Sequence, residues 1–158
     1  MLDELITFFS AALPILELRW AIPFAIIKFG FNPYKAYAIS VLGNMLPILP
    51  ILLGLERVSE YLSHRFYRFN RFFNWLFERT RRKHSGHFTH WGDLALFIFV
   101  AIPFPLTGAY SGAVAAFVFG IPVKHAFWSI VLGVLTAGAI VSLITVFGEN
   151  IFRRLFFI

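Results

Sequence analysis

Two residues of opposite charge, Glu17 and Arg19, sit in an apolar stretch that also holds Pro14 and Pro23. A carboxylate takes and releases a proton, and a guanidinium presents a planar fork that matches a phosphate or a carboxylate. At the centre of a bilayer each charge costs roughly 2.5–3.5 kcal/mol on insertion scales, so ionisable residues there face a cavity or one another. On a regular helix, residues two apart point in different directions. At the bend of a broken helix both converge on one site. The pair therefore suits proton exchange at Glu17 and anion binding at Arg19; the plainer alternative is a buried ion pair that only pins the bend.

A second cluster runs Pro103-Phe104-Pro105-Leu106-Thr107-Gly108-Ala109-Tyr110-Ser111-Gly112. Thr107, Tyr110 and Ser111 supply hydroxyls. Pro103, Pro105, Gly108 and Gly112 are expected to break or bend the helix, as Pro14 and Pro23 are in the first stretch. Amides freed at a half-helix N-terminus carry partial positive charge and suit an anion. Gly108-x-x-x-Gly112 is equally a small-residue pattern for close helix packing. Asn44, three residues before Pro47, either lines the same path or makes one interhelical hydrogen bond. His64, His84, His87 and His90 are irregularly spaced without an acidic partner at ligand geometry, so no metal site is expected. No Ser/His/Asp arrangement in the apolar segments, HExxH or phosphate-cradling loop occurs, and neither enzymatic activity nor a cofactor is expected.

The elements that must position these residues are membrane elements. The chain is 59% apolar and 14% charged, with a mean hydropathy of +0.76, against about half and a quarter for a soluble domain. Residues 29–55 carry one charge, Lys35, and residues 94–148 carry one, Lys124. Segments that long and uncharged aggregate in water, whereas about 20 apolar residues cross a bilayer core as a helix. The N-terminus, with Asp3 and Glu4 in place of a basic region, does not read as a cleavable signal peptide. There is no cysteine to form a disulfide or a thiolate metal site. The net charge of +6 is concentrated in one connecting segment, so nucleic acid is not an expected partner.

Shifted by 90 residues, the chain matches itself without a gap from Asp3/Asp93 to Gly43/Gly133. The identities include Ala11/Ala101, Ala25/Ala115, Gly30/Gly120, Ala36/Ala126 and Gly43/Gly133. Duplicated halves in a membrane protein point to a transporter with its site where the halves meet. The fold class expected is an all-α integral membrane protein of two inverted repeats. Each repeat is a re-entrant helical hairpin plus a transmembrane helix. The first repeat spans 1–56 (hairpin 5–28, helix 36–56), and the second 92–158 (hairpin 94–119, helix 123–148). The alternative is four kinked full spans with parallel halves. Re-entrance is preferred because the prolines and glycines fall at aligned depths, and two half-helices of about ten residues each reach about 15 Å, enough for mid-membrane.

Between the repeats, residues 57–91 hold eight Arg or Lys and four His. Leu55, Val58, Leu62, Phe66, Phe69, Phe73 and Leu76 recur at spacings of three and four, a helical stripe. This basic amphipathic linker helix suits anionic lipid headgroups, or else simply continues the preceding helix; the positive-inside rule places it in the cytoplasm. Gly86, in the polar run His84-Ser85-Gly86-His87, is the expected break before the second half.

Glu17-Leu18-Arg19-Trp20-Ala21-Ile22-Pro23, Gly43-Asn44-Met45-Leu46-Pro47 and the cluster from Ala101 to Gly112 resemble the small prokaryotic membrane proteins labelled small multidrug export proteins. That family is distantly similar to the DedA, SNARE-associated or VTT membrane proteins. The second resemblance implies paired re-entrant hairpins and movement of lipids, including undecaprenyl phosphate. The acidic and arginine positions of DedA hairpins map here onto Glu17 and Arg19, and the second hairpin tip carries no charge. Together they imply a multi-pass protein of a prokaryotic inner membrane.

The function expected is a transporter moving an anionic amphiphile of the lipid phosphate class, with proton coupling at Glu17. Arg19 would anchor the head, and Asn44, Thr107, Tyr110 and Ser111 would line the path. The alternatives are proton-driven export of small cationic drugs and a non-transporting scaffold that docks partners through the linker. Membrane lipids are the expected partners, with a second copy of the chain to shield polar cavities.

Overall fold

The computed structural model of the chain describes residues 1–65, 86–104 and 107–156. Every regular element among them is a helix: α1 Leu2–Ala11, α2 Glu17–Phe29, α3 Pro33–Met45, α4 Ile48–Arg65, α5 Gly86–Ala101, α6 Ala109–Val118 and α7 Val123–Phe156. A helix answers its backbone N–H and C=O groups internally, the requirement an apolar surrounding imposes.

Local chemistry sets the boundaries. Pro14 cannot donate to Ser10, so α1 stops at Ala11 and the chain turns through 12–16. Asn32 caps α3 by accepting from the Tyr34 N–H at 3.0 Å, with Pro33 at the first helical position. Pro47 ends α3 in the same way that Pro14 ends α1. The Gly43 carbonyl it leaves free accepts from the Leu46 N–H at 3.3 Å, and α4 resumes at Ile48. In the second half, α5 ends at Ala101 and α6 opens at Ala109, with Pro103 and Gly108 between them. Two of the expected breaks do not occur. Pro23 lies inside α2, where its missing donor frees only the Arg19 carbonyl and the helix continues. Gly112 lies inside α6, where a Cβ would stand 2.6 Å from Val100 and 3.5 Å from Ile130. It is a packing residue rather than a hinge.

The two halves share one helix order, α1-α2-α3 and α5-α6-α7, and several identical residue pairs do identical work. Gly30 and Gly120 both take the left-handed conformation, at φ +65° and +64°, and turn the chain from each hairpin into the following helix. Closing hydrogen bonds run from Phe31 N–H to Ala25 O (3.1 Å) and from Ile121 N–H to Ala116 O (2.8 Å). Gly43 and Gly133 let α1 and α5 approach α3 and α7. A Cβ on Gly43 would run into the Phe8 carbonyl, and one on Gly133 would stand 3.1 Å from the Phe97 carbonyl and 2.6 Å from Val100.

The halves lock through α2 on α7, α6 on α4 and α3 on α7. Small residues are prominent in the core, where Ala25, Ala36, Ala113, Ala116 and Ala126 are all buried, which suits close helix packing. The outer surface remains apolar, with Ile27, Leu42, Leu132, Leu143, Ile144 and Phe147 all more than half exposed. Two stretches are long and apolar enough to cross a bilayer: Pro33–Leu55 (23 residues, mean hydropathy 2.0) and Val123–Gly148 (26 residues, 2.5). The first contains the turn at Leu46–Pro47, so the span expected over 36–56 is two helices rather than one rod. In the expected linker, Phe66, Phe69, Phe73 and Leu76 fall outside the described residues.

Candidate functional site

Both hairpin breaks leave backbone groups without helical partners: the last carbonyls of α1 and α5, and the first amides of α2 and α6. The structure answers them across the halves. From the first half, the Arg19 guanidinium donates to the Phe104 carbonyl through Nη1, and Nη2 reaches the Thr107 hydroxyl at 3.1 Å and the Ile102 carbonyl at 3.5 Å. From the second half, the Tyr110 hydroxyl donates to the Ala12 carbonyl. Each break is thus closed by a side chain that stands just past the other.

Thr107 holds its own break together. Its hydroxyl lies 2.7 Å from the Ile102 carbonyl and 2.8 Å from that of Phe104, and accepts from the Phe104 N–H at 3.3 Å. Ser111 turns back to the Gly108 carbonyl at 3.3 Å.

Glu17 occupies the centre. It is 8% exposed, and it opens α2 at φ +50°, the single left-handed non-glycine backbone among the described residues. Such a conformation costs on the order of 1–3 kcal/mol and persists only where surroundings hold it. Its carboxylate accepts from the Tyr110 backbone N–H and lies against Gly108, where a Cβ would overlap both oxygens. Gly108 is the N-cap of α6 and makes no side-chain cap of its own. Glu17 therefore caps a helix of the opposite half, where a carboxylate meets the positive end of the helix dipole. Arg19 Nε stands 4.0 Å from Glu17 Oε2.

Of the residues singled out in the sequence, the structure brings together Glu17, Arg19, Thr107 and Tyr110, with Ser111 alongside. Asn44 is not joined to them. It is 1% exposed on α3, and neither side-chain end has a hydrogen-bond partner, as is also true of the buried Ser40 hydroxyl one turn earlier. Sequence reasoning missed the carbonyls of Ala12, Ile102 and Phe104, because backbone acceptors carry no residue-type signal. Pro105 and Leu106 fall outside the described residues, and no group of three or more His, Cys, Asp or Glu able to hold a metal occurs among the described residues.

The cross-closure is directly measurable. Tyr110→Phe removes the hydroxyl and leaves the Ala12 carbonyl unanswered, an expected loss of about 1–3 kcal/mol. Thermal unfolding of the purified protein in detergent reads it, and an unchanged midpoint would show that Ala12 finds another donor.

The family described as "Putative small multi-drug export protein" matches residues 17–140. The chain belongs to this family. The matched span runs from α2 into α7 and takes in Glu17, Arg19, Thr107 and Tyr110, the side chains that knot the two breaks together. The family and the two long apolar helices identify a membrane protein with a transport role in small multidrug export. No curated protein and no solved structure matches the chain.

Proposed function

We propose that this small multidrug export family member moves an anionic amphiphile, of the lipid phosphate class, across the bilayer through the Glu17–Arg19 knot. One observation carries the reading. A buried anion, the Glu17 carboxylate, already occupies the N-terminus of α6 beside a guanidinium. That is the equipment of a phosphate site, closed by an internal carboxylate. A phosphate entering it would take the Arg19 fork from the Ile102 and Phe104 carbonyls. Protonation of Glu17 would release the α6 amides to the same ligand. Proton uptake and anion binding would then be two halves of one exchange.

The helix lengths fit an inverted, re-entrant arrangement. At 10 and 13 residues, α1 and α2 are about 15 and 20 Å long, each short of a core about 30 Å thick. Broken backbone at that depth requires protein cover, and each break covers the other. The halves would then face opposite sides of an inner membrane, with the basic linker in the cytoplasm. Export of a cation fits the geometry less well: the guanidinium at 4.0 Å and the α6 N-terminus both repel a positive charge from Glu17.

Reconstitution into liposomes with a labelled lipid phosphate and a cationic dye tests the reading. The lipid phosphate is expected to cross and the dye to stay, with an imposed proton gradient accelerating the wild type. Glu17→Gln is expected to lose the response to the gradient. Transport of the dye without the lipid phosphate overturns the substrate class.

A further inference from the structure

Away from the central knot, each half ties the start of its hairpin to the start of its long helix with one acid–base pair. In the first half, Lys35 Nζ lies 2.6 Å from Glu4 Oε1 and 4.5 Å above the Phe31 ring. In the second, His125 Nδ1 lies 2.7 Å from Asp93 Oδ2. Under the 90-residue offset His125 is the counterpart of Lys35, and Asp93 is the counterpart of Asp3, next to Glu4. The two ties occupy equivalent places and differ in the base.

That difference changes the chemistry. A lysine ammonium stays charged through the physiological range, and its hydrogen bond holds the Glu4 carboxyl below the usual carboxylate range. Glu4 precedes the stretch read as embedded. Histidine changes charge between about pH 5 and 8. As imidazolium it gives Asp93 a charge-assisted hydrogen bond, whereas as neutral imidazole it gives at most an uncharged Nδ1–H donor. Asp93 has little else: its Oδ1 is buried without a hydrogen-bond partner.

We propose that Asp93 and His125 form a proton-binding tie between α5 and α7, firm when His125 is doubly protonated and loosened when it is neutral. No other described charge takes part. Of the groups on helices packed against α7, Glu17 and Arg19 belong to the knot, Lys35 is held by Glu4, and α6 carries no charged residue. The Tyr37 hydroxyl donates to the Leu135 carbonyl, well along α7 from His125. No hydrogen bond or ion pair joins Lys28 on α2, Arg57 on α4 or the neighbouring exposed Lys124 to His125. The side chains of Glu56, Glu60, His64 and Arg65 on α4, His87 and His90 on α5, and Glu149, Arg153 and Arg154 on α7 fall outside the described residues. If the halves are inverted as proposed above, one mouth of the protein is fastened throughout the physiological range and the other only on the acidic side of that range. The proton dependence itself does not rest on that reading.

Hydrogen–deuterium exchange of the full-length protein in nanodiscs tests the tie without any transport assay. After correction for intrinsic chemistry, exchange across residues 91–101 is expected to rise about two- to fivefold between about pH 5.5 and pH 8, the range set by a half-exposed ion pair. His125→Lys is expected to keep the slow exchange at both pH values, and Asp93→Asn the fast exchange at both. The reciprocal Lys35→His is expected to bring the same pH dependence to residues 2–11, where the wild type is expected to be flat. A wild type flat over 91–101, or a slope that survives His125→Lys or Asp93→Asn, overturns the proposal. A flat response over 2–11 in Lys35→His also counts against it, since the base alone is held to make the difference.

Discussion

Arg19→Ala is expected to abolish movement of a lipid phosphate, with a loss of about a hundredfold or more, and to destabilise the fold by about 3–5 kcal/mol, the cost of breaking a buried charge cluster. The side chain donates to the Phe104 carbonyl, the Ile102 carbonyl and the Thr107 hydroxyl, and it accompanies the buried Glu17 carboxylate. Alanine removes all of these at once. Arg19→Lys keeps the charge but presents no planar fork, so it is expected to restore most of the stability and little of the transport. Thermal unfolding and liposome flux, measured on both variants, separate a pin from a ligand. Full flux in a folded Arg19→Ala protein would sink the anion reading and favour a cationic substrate.

Gly43→Ala is expected to destabilise the fold by about 2–3 kcal/mol. The new carbon meets backbone, the Phe8 carbonyl and its neighbours, so no side-chain rotation relieves it and α1 must move away from α3. Gly133→Ala is expected to cost less because the overlap is smaller: its nearest obstacle, the Val100 Cβ, stands 2.6 Å away and the Phe97 carbonyl 3.1 Å away. Gly54→Ala is the control: nothing lies within 4 Å, and the change is expected to be neutral or slightly stabilising. Unfolding midpoints in one detergent should rank Gly43→Ala below Gly133→Ala, and both below Gly54→Ala. A Gly43→Ala protein as stable as wild type would show that α1 does not seat on α3 in this way.

Much of this arrangement was legible in the sequence because it is written in residues with single physical uses. Pro14, Pro103 and Gly108 stand where the helices are interrupted, whereas Pro47 ends a helix inside a stretch that reads as one span. The identical glycines of the 90-residue offset became two left-handed turns and two helix contacts. Pro23 and Gly112 misled, because the same residue types also serve inside helices: one lost hydrogen bond is tolerated, and a missing side chain makes room. Glu17, Arg19, Thr107 and Tyr110 were recognisable as chemistry out of place in an apolar chain. Their partners were not, since an unanswered carbonyl looks like any other in one-letter code. The ties at Glu4–Lys35 and Asp93–His125 had a faint signal, the alignment of Lys35 with His125, which matters only once the helices that carry them are seen side by side.

The Ala12 carbonyl and its Tyr110 donor are 98 residues apart, and Arg19 reaches forward 85 residues to Phe104. While the ribosome is still synthesising the chain, the amino-terminal portion therefore enters lipid with acceptors unmet and a guanidinium without its carbonyls. It stays unfinished until the last third of the polypeptide arrives. Cut into two genes, the protein would work only if the fragments found each other before proteolysis found either.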